Sequence, residues 1–168
     1  MQFAVFRVKS AIFRLAWKLQ MYPYLKLPLL TAYQKGDTFV MREILAYEGP
    51  CFIVEWYYDE NGTSQALDYF NRLGDAQKRK VLMLFKRIGD SGKISDITKF
   101  RNEGDKIYAF KPQPDRFLSF FYVGKKIIIT NAFCKKSQKL PENEKQRAIF
   151  SMQSYNTRVQ KGEYYEEG

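Results

Sequence analysis

The chain has 168 residues, 45% of them hydrophobic and 17% aromatic, which is enough to bury the core of one domain with an appendage and excludes a disordered chain. It carries a net charge of +10 and no histidine, which removes Ser-His and Cys-His catalysis and the commonest metal ligand. From Phe3 to Met21, Val8, Ile12, Leu15 and Leu19 recur at helical spacing, with Arg7, Arg14 and Lys18 on another face; Pro23 and Pro28 end the pattern. Those cations interrupt the only apolar region, so no membrane span is expected. Residues 1–40 read as a basic amphipathic extension of uncertain status, with Met41 as a natural alternative start.

Phe52 to Tyr58 is β-branched and aromatic and reads as a strand that stops at the turn Asp59-Glu60-Asn61-Gly62. Thr63 or Ser64 then caps a helix carrying Leu67, Phe70 and Leu73. Asp75 is a plausible cap for a second helix with Val81, Leu82, Leu84, Phe85 and Ile88 inside, closed by Gly89 and Gly92. The pair reads as an αα-hairpin. Gly92 to Asp105 is polar and turn-rich. Three strand-like runs follow, Lys106–Lys111, Arg116–Val123 and Lys126–Phe133, with a tight turn at Gly124-Lys125. Pro141 opens a last helix to about Val159, with Ala148, Met152 and Tyr155 inside, and residues 159–168 form a frayed tail. The expected fold is a small α+β domain: an antiparallel sheet packed on an N-terminal αα-hairpin, with a C-terminal helix and one sheet face free of helices.

Charge is not spread evenly. Residues 1–36 carry six Lys or Arg and no acid, and residues 99–139 carry ten against Glu103, Asp105 and Asp115; both intervening and final segments are slightly acidic. Such localisation implies a field directed at a polyanion, because solubility alone needs no clustering. Alternation in the first late strand puts Tyr108 and Phe110 on one face and Ile107, Ala109 and Lys111 on the other. Lys111, Arg116, Lys135 and Lys136, with Lys99 and Arg101, then converge on one side. Any one of them alone reads more simply as a solvated strand-end cation that discourages edge pairing. The aromatics Trp56, Tyr57 and Tyr58 read as core more readily than as base-stacking groups. Cys51 and Cys134 read as free cytosolic thiols, and no metal site is expected.

The strand, the helix pair, Thr98-Lys99-Phe100-Arg101, the strand ending Lys111-Pro112, Arg116, and the run Asn131-Ala132-Phe133-Cys134-Lys135-Lys136-Ser137-Gln138-Lys139-Leu140-Pro141 together resemble the phage-derived RelE/HigB-like branch of the RelE/ParE toxins. The similarity covers residues 50–158. It implies a cytoplasmic toxin of a type II toxin-antitoxin system, a ribosome-dependent endoribonuclease that cuts messenger RNA without metal or cofactor. Its implied partners are a cognate antitoxin, the bacterial ribosome and the message. By position, Lys111 and Arg116 clamp the scissile phosphate and Lys136 stabilises charge or protonates the leaving oxygen. Lys99, Arg101, Lys106, Lys135, Gln138 and Lys139 bind adjoining RNA. The proton acceptor is left open between Lys135 and Asp115. Ile107 and Ala109 stand where RelE-like members often carry further outward lysines, and that departure keeps two alternatives: a ParE-like inhibitor of DNA gyrase, and a non-catalytic nucleic-acid binder.

Overall fold

The computed structural model describes residues 30–35, 38–136 and 139–165, with side chains from Ile44 onward. The helix expected at Phe3–Met21 lies outside the described residues, as does Gln138. Eight strands and three helices follow in the order β1 (Leu30–Lys35), β2 (Thr38–Glu43), β3 (Leu45–Glu48), β4 (Ile53–Trp56), α1 (Gln65–Arg72), α2 (Asp75–Ser91), β5 (Phe100–Asn102), β6 (Tyr108–Phe110), β7 (Asp115–Tyr122), β8 (Lys126–Cys134) and α3 (Glu142–Gln160). Strands β1 and β2 pair with each other, and the other six form one sheet in the order β3-β4-β8-β7-β6-β5.

The helices end where local chemistry dictates. Ser64 caps α1 by accepting a hydrogen bond from the Leu67 backbone N–H at 3.4 Å. Gly74, not Asp75, caps α2, and Gly92 closes that helix in the left-handed conformation at φ +75°. At the β7–β8 turn, Gly124 and Lys125 both take positive φ, 77° and 61°, the geometry a two-residue hairpin needs.

Three expectations are corrected. The sheet is mixed, because β4 runs parallel to β8. The intervening helices supply the long crossover a parallel pair requires. No face is free of helices: α1 and α2 bury Val54, Trp56, Phe110, Phe117 and Ile127 on one side, while α3 buries Ile107, Ala109, Leu118, Phe120 and Ile128 on the other. Both sides of β6 to β8 are therefore apolar, which explains why their alternation reads weakly. Nor is the whole tail frayed. Tyr164 is 2% exposed and its hydroxyl accepts from the Tyr58 N–H at 2.9 Å.

A bulge sets which residues face α3. Between Leu118/Asn131 and Ser119/Ile129 the β7–β8 register shifts by one residue, leaving Thr130 extra. The Thr130 hydroxyl returns to the Leu118 carbonyl at 3.1 Å. The shift turns Ala132 toward α1 and brings Asn131 and Phe133 to the α3 side. Gln65 of α1 then exchanges two hydrogen bonds with the Ala132 backbone, at 2.7 and 2.8 Å, where β4 no longer reaches.

Candidate functional site

Register places the cations. Phe110 pairs with Phe100 and Phe117, Arg116 pairs with Phe133, and the Lys111 N–H donates to the Lys99 carbonyl at 2.8 Å. One cross-strand row therefore holds Lys99, Lys111, Arg116 and Phe133, and the next holds Arg101, Ala109, Leu118 and Asn131. By alternation these side chains lie on the α3 side. The first turn of α3 meets the second row, since the Asn131 side-chain amide donates to the Glu144 carboxylate at 2.8 Å. The cationic row sits one step farther out.

Lys111 and Arg116 are each only 7% exposed. The Lys111 ammonium donates to the Ile97 carbonyl at 3.1 Å and lies 3.6 Å from the Glu103 carboxylate. Burial pushes its pKa down, Glu103 partly restores it, and the charges of Arg101 and Arg116 lower it again. Those couplings place Arg101, Glu103, Lys111 and Arg116 in one electrostatic cluster. Burial also lowers Arg116, against the fields of Glu103 and Asp115, although a guanidinium stays charged at any physiological pH. Arg116 donates to its neighbours' carbonyls, Asp115 at 2.8 Å and Pro114 at 3.4 Å, while its Nε has no partner among the described residues. A buried, unpaired guanidinium N–H is rare enough to need a reason. An incoming oxyanion would supply one.

Around this pair, Lys99 and Arg101 are exposed. Lys135 is half-buried and its N–H donates to the Pro114 carbonyl at 3.2 Å. It and the exposed Lys136 leave β8 at the end of the sheet where Arg116 sits. Lys139 is exposed. Lys106 is set apart: it lies in the β5–β6 turn at φ +62°, at the opposite end of β5 and β6 from Lys99 and Lys111.

Asp115 does not serve this cluster. Alternation turns it to the α1–α2 side, where its two carboxylate oxygens accept from Tyr69 at 2.5 Å and Gln77 at 2.6 Å. Gln77 also reaches the carbonyls of Pro112 and Gln113. Together they fasten the 112–115 turn, which carries Arg116, to the two helices. Trp56, Tyr57 and Tyr58 are core, at 1%, 6% and 6% exposure.

Glu103 is the member that sequence reasoning missed. It lies in a stretch legible only as a polar turn, and its place among the cations depends on β5 pairing with β6.

A family model described as phage derived protein Gp49-like (DUF891) matches residues 68–153, just over half of the chain. The chain belongs to this family. Gp49-like proteins are RelE/toxin-like. In this Gp49-like chain the matched stretch runs from α1 into α3 and contains every residue of the cationic rows. No curated protein matches the chain.

Proposed function

We propose that this Gp49-like protein is the toxin of a type II toxin-antitoxin pair, and that it acts in the bacterial cytoplasm by cutting messenger RNA on the ribosome. The observation that carries the reading is the Lys111–Arg116 pair: two buried cations, one just past β6 and one on the neighbouring β7, with an Arg116 N–H that no described residue satisfies, at the rim of a basic surface. Cations already desolvated and held by the fold stabilise developing charge on a phosphate without reorganising. A water-exposed pair would be worth far less.

In this mechanism Lys111 and Arg116 hold the non-bridging oxygens of the scissile phosphate. The RNA 2′-hydroxyl attacks in line, leaving a cyclic phosphate, and Lys136 donates a proton to the departing 5′ oxygen. Lys99, Arg101, Lys135, Gln138 and Lys139 bind the flanking RNA, with Lys106 meeting a more distant nucleotide. The cognate antitoxin masks this basic rim or displaces α3, for which an acidic or amphipathic segment is suited.

The test is messenger-RNA end mapping after brief induction of the full chain and of Lys111→Ala/Arg116→Ala. New codon-associated ends with the parent and none with the variant are expected. Growth arrest with intact messages and inhibited gyrase supercoiling would replace this reading by the gyrase one. RNA binding without new ends would leave only a nucleic-acid binder.

A further inference from the structure

In-line attack needs a group to take the 2′-hydroxyl proton, and the clamp is otherwise built of cations. Lys111 is already engaged by two acceptors, the Ile97 carbonyl and Glu103. Asp115 is committed to Tyr69 and Gln77 on the opposite side of the sheet. Asp105 is bridged to Lys145 at 2.7 Å, and Glu144 accepts from Asn131 and Arg147. Glu103 alone stands among the cations with an unused carboxylate oxygen: Oε1 lies 3.6 Å from Lys111, and Oε2 accepts no hydrogen bond from any described residue.

Its position is braced from three directions. The Glu103 N–H donates to the Ile107 carbonyl at 2.8 Å and closes the β5–β6 turn. The Asn102 side chain accepts from the Gly104 N–H at 2.8 Å. Gly104, Asp105 and Lys106 all take positive φ, at 87°, 53° and 62°, a run that is costly for the two non-glycine residues unless the surroundings hold it. The Lys145–Asp105 bridge ties this turn to α3, so closely that a Cβ on Gly104 would come within 3.1 Å of the Lys145 ammonium. A turn strained and fastened in this way presents Glu103 at a fixed place beside the phosphate clamp.

Resting on the endoribonuclease reading, we propose that the Glu103 carboxylate is the proton acceptor for the RNA 2′-hydroxyl. The 2′-O–H proton passes to Oε2 as the O2′–P bond forms. The P–O5′ bond breaks, and Lys136 supplies the proton to O5′. The products are a 2′,3′-cyclic phosphate and a 5′-hydroxyl. Glu103 returns its proton to solvent and Lys136 regains one, so no water or metal is consumed. Before substrate arrives, Glu103 also neutralises Lys111, and the phosphate takes over that role.

The test uses single-turnover cleavage of messenger RNA on programmed ribosomes by the full-length protein. Glu103→Gln should cut at least about 100-fold more slowly, with binding to the programmed ribosome unchanged or tighter. Parent protein should show an acid-side limb in its pH–rate profile that disappears in Glu103→Gln. The charged groups that face Glu103 are Arg101 on β5, Lys111 beyond β6, Arg116 on β7, and Lys145 with Asp105 across the turn. Glu103→Asp should recover part of the rate, which a merely structural acid would not do selectively for kcat. With a 5′-thio leaving group the Lys136→Ala defect should vanish while the Glu103→Gln defect persists. Parent-like cleavage by Glu103→Gln, or an unchanged acid limb, overturns the assignment and leaves the endoribonuclease reading standing. No cleavage by the parent protein overturns both.

Discussion

A buried cation and an exposed one on the same sheet row differ in what they contribute. Lys99 and Arg101 are exposed, so under the proposed function their contact with RNA would be screened and largely a matter of counterion release. Lys99→Ala should flatten the log–log salt dependence of single-stranded RNA binding by about 0.7 and weaken all sequences alike. Arg116 is 7% exposed with an orphaned Nε, so Arg116→Ala should lose more affinity than its share of the salt slope accounts for. Equal losses for the two variants in a filter-binding salt titration would count against a desolvated clamp. Asp115 makes a separate claim at this scale. Its carboxylate takes two side-chain hydrogen bonds in a 4%-exposed position, and Asp115→Ala strands the Tyr69 hydroxyl and removes one of the three acceptors of the Gln77 amide. The expected cost is roughly 1–3 kcal/mol in urea denaturation, with RNA affinity falling because Arg116 follows Asp115 in the chain.

Elements were legible in proportion to their local signal. Ser64 before Leu67 and Phe70, and the Val81–Ile88 stripe before Gly92, announce α1 and α2 because a helix is written in contiguous residues. Strand β5 is three residues, Phe100-Arg101-Asn102, too short to alternate, and only its pairing with β6 makes it a strand. Helix α3 was foreseen, but its docking was not, because Tyr155 and Ala148 do not say which face they cover. The end of that helix makes a prediction of its own. The Tyr165 hydroxyl donates to the buried Glu55 at 2.5 Å, lies 3.0 Å from the Lys126 ammonium, and shares a hydrogen bond with Tyr155 at 2.6 Å. Lys126 also bridges Glu55 at 3.0 Å. Burial raises Tyr155, Tyr164 and Tyr165 well above the ordinary tyrosine value, and the Glu55 charge raises Tyr155 and Tyr165 further. In the unfolded chain the three ionise near pH 10, while in the folded protein they stay protonated. The folded state then binds more protons, so the stabilising difference is intact below pH 10 and is lost as pH rises beyond it. Three such groups give a slope of about 4 kcal/mol per pH unit. Tyr165→Phe should start less stable at neutral pH but shed about a third of that alkaline slope. Urea midpoints at pH 9, 10 and 11 measure both, and an unchanged slope would mean that Tyr165 is not held neutral.

At the scale of the molecule, charge partition along the sequence singles out the basic segment without any knowledge of strand pairing, since residues 99–139 hold ten basic residues against three acidic ones. What partition could not reveal is that two of those cations are buried, or that one of the acids stands among them. Both depend on the mixed sheet and on α3 closing its second face, and long-range pairing leaves no local trace. The same distinction bears on the extension. Strands β1 and β2 pair only with each other among the described residues, and the six-stranded sheet begins at Leu45. A chain starting at Met41 therefore keeps every strand of that sheet and all three described helices, and it keeps the basic segment while its net charge falls from +10 to +5. Such a chain should unfold in one transition with the midpoint of the full protein. Its RNA binding should be weaker at low salt, where the lost cations act at long range. The fractional loss caused by Lys111→Ala should be the same in both lengths, because that residue works through the sheet. A broadened or lowered unfolding transition would place residues 1–40 inside the domain, and a Lys111→Ala effect confined to the full chain would place them at the site.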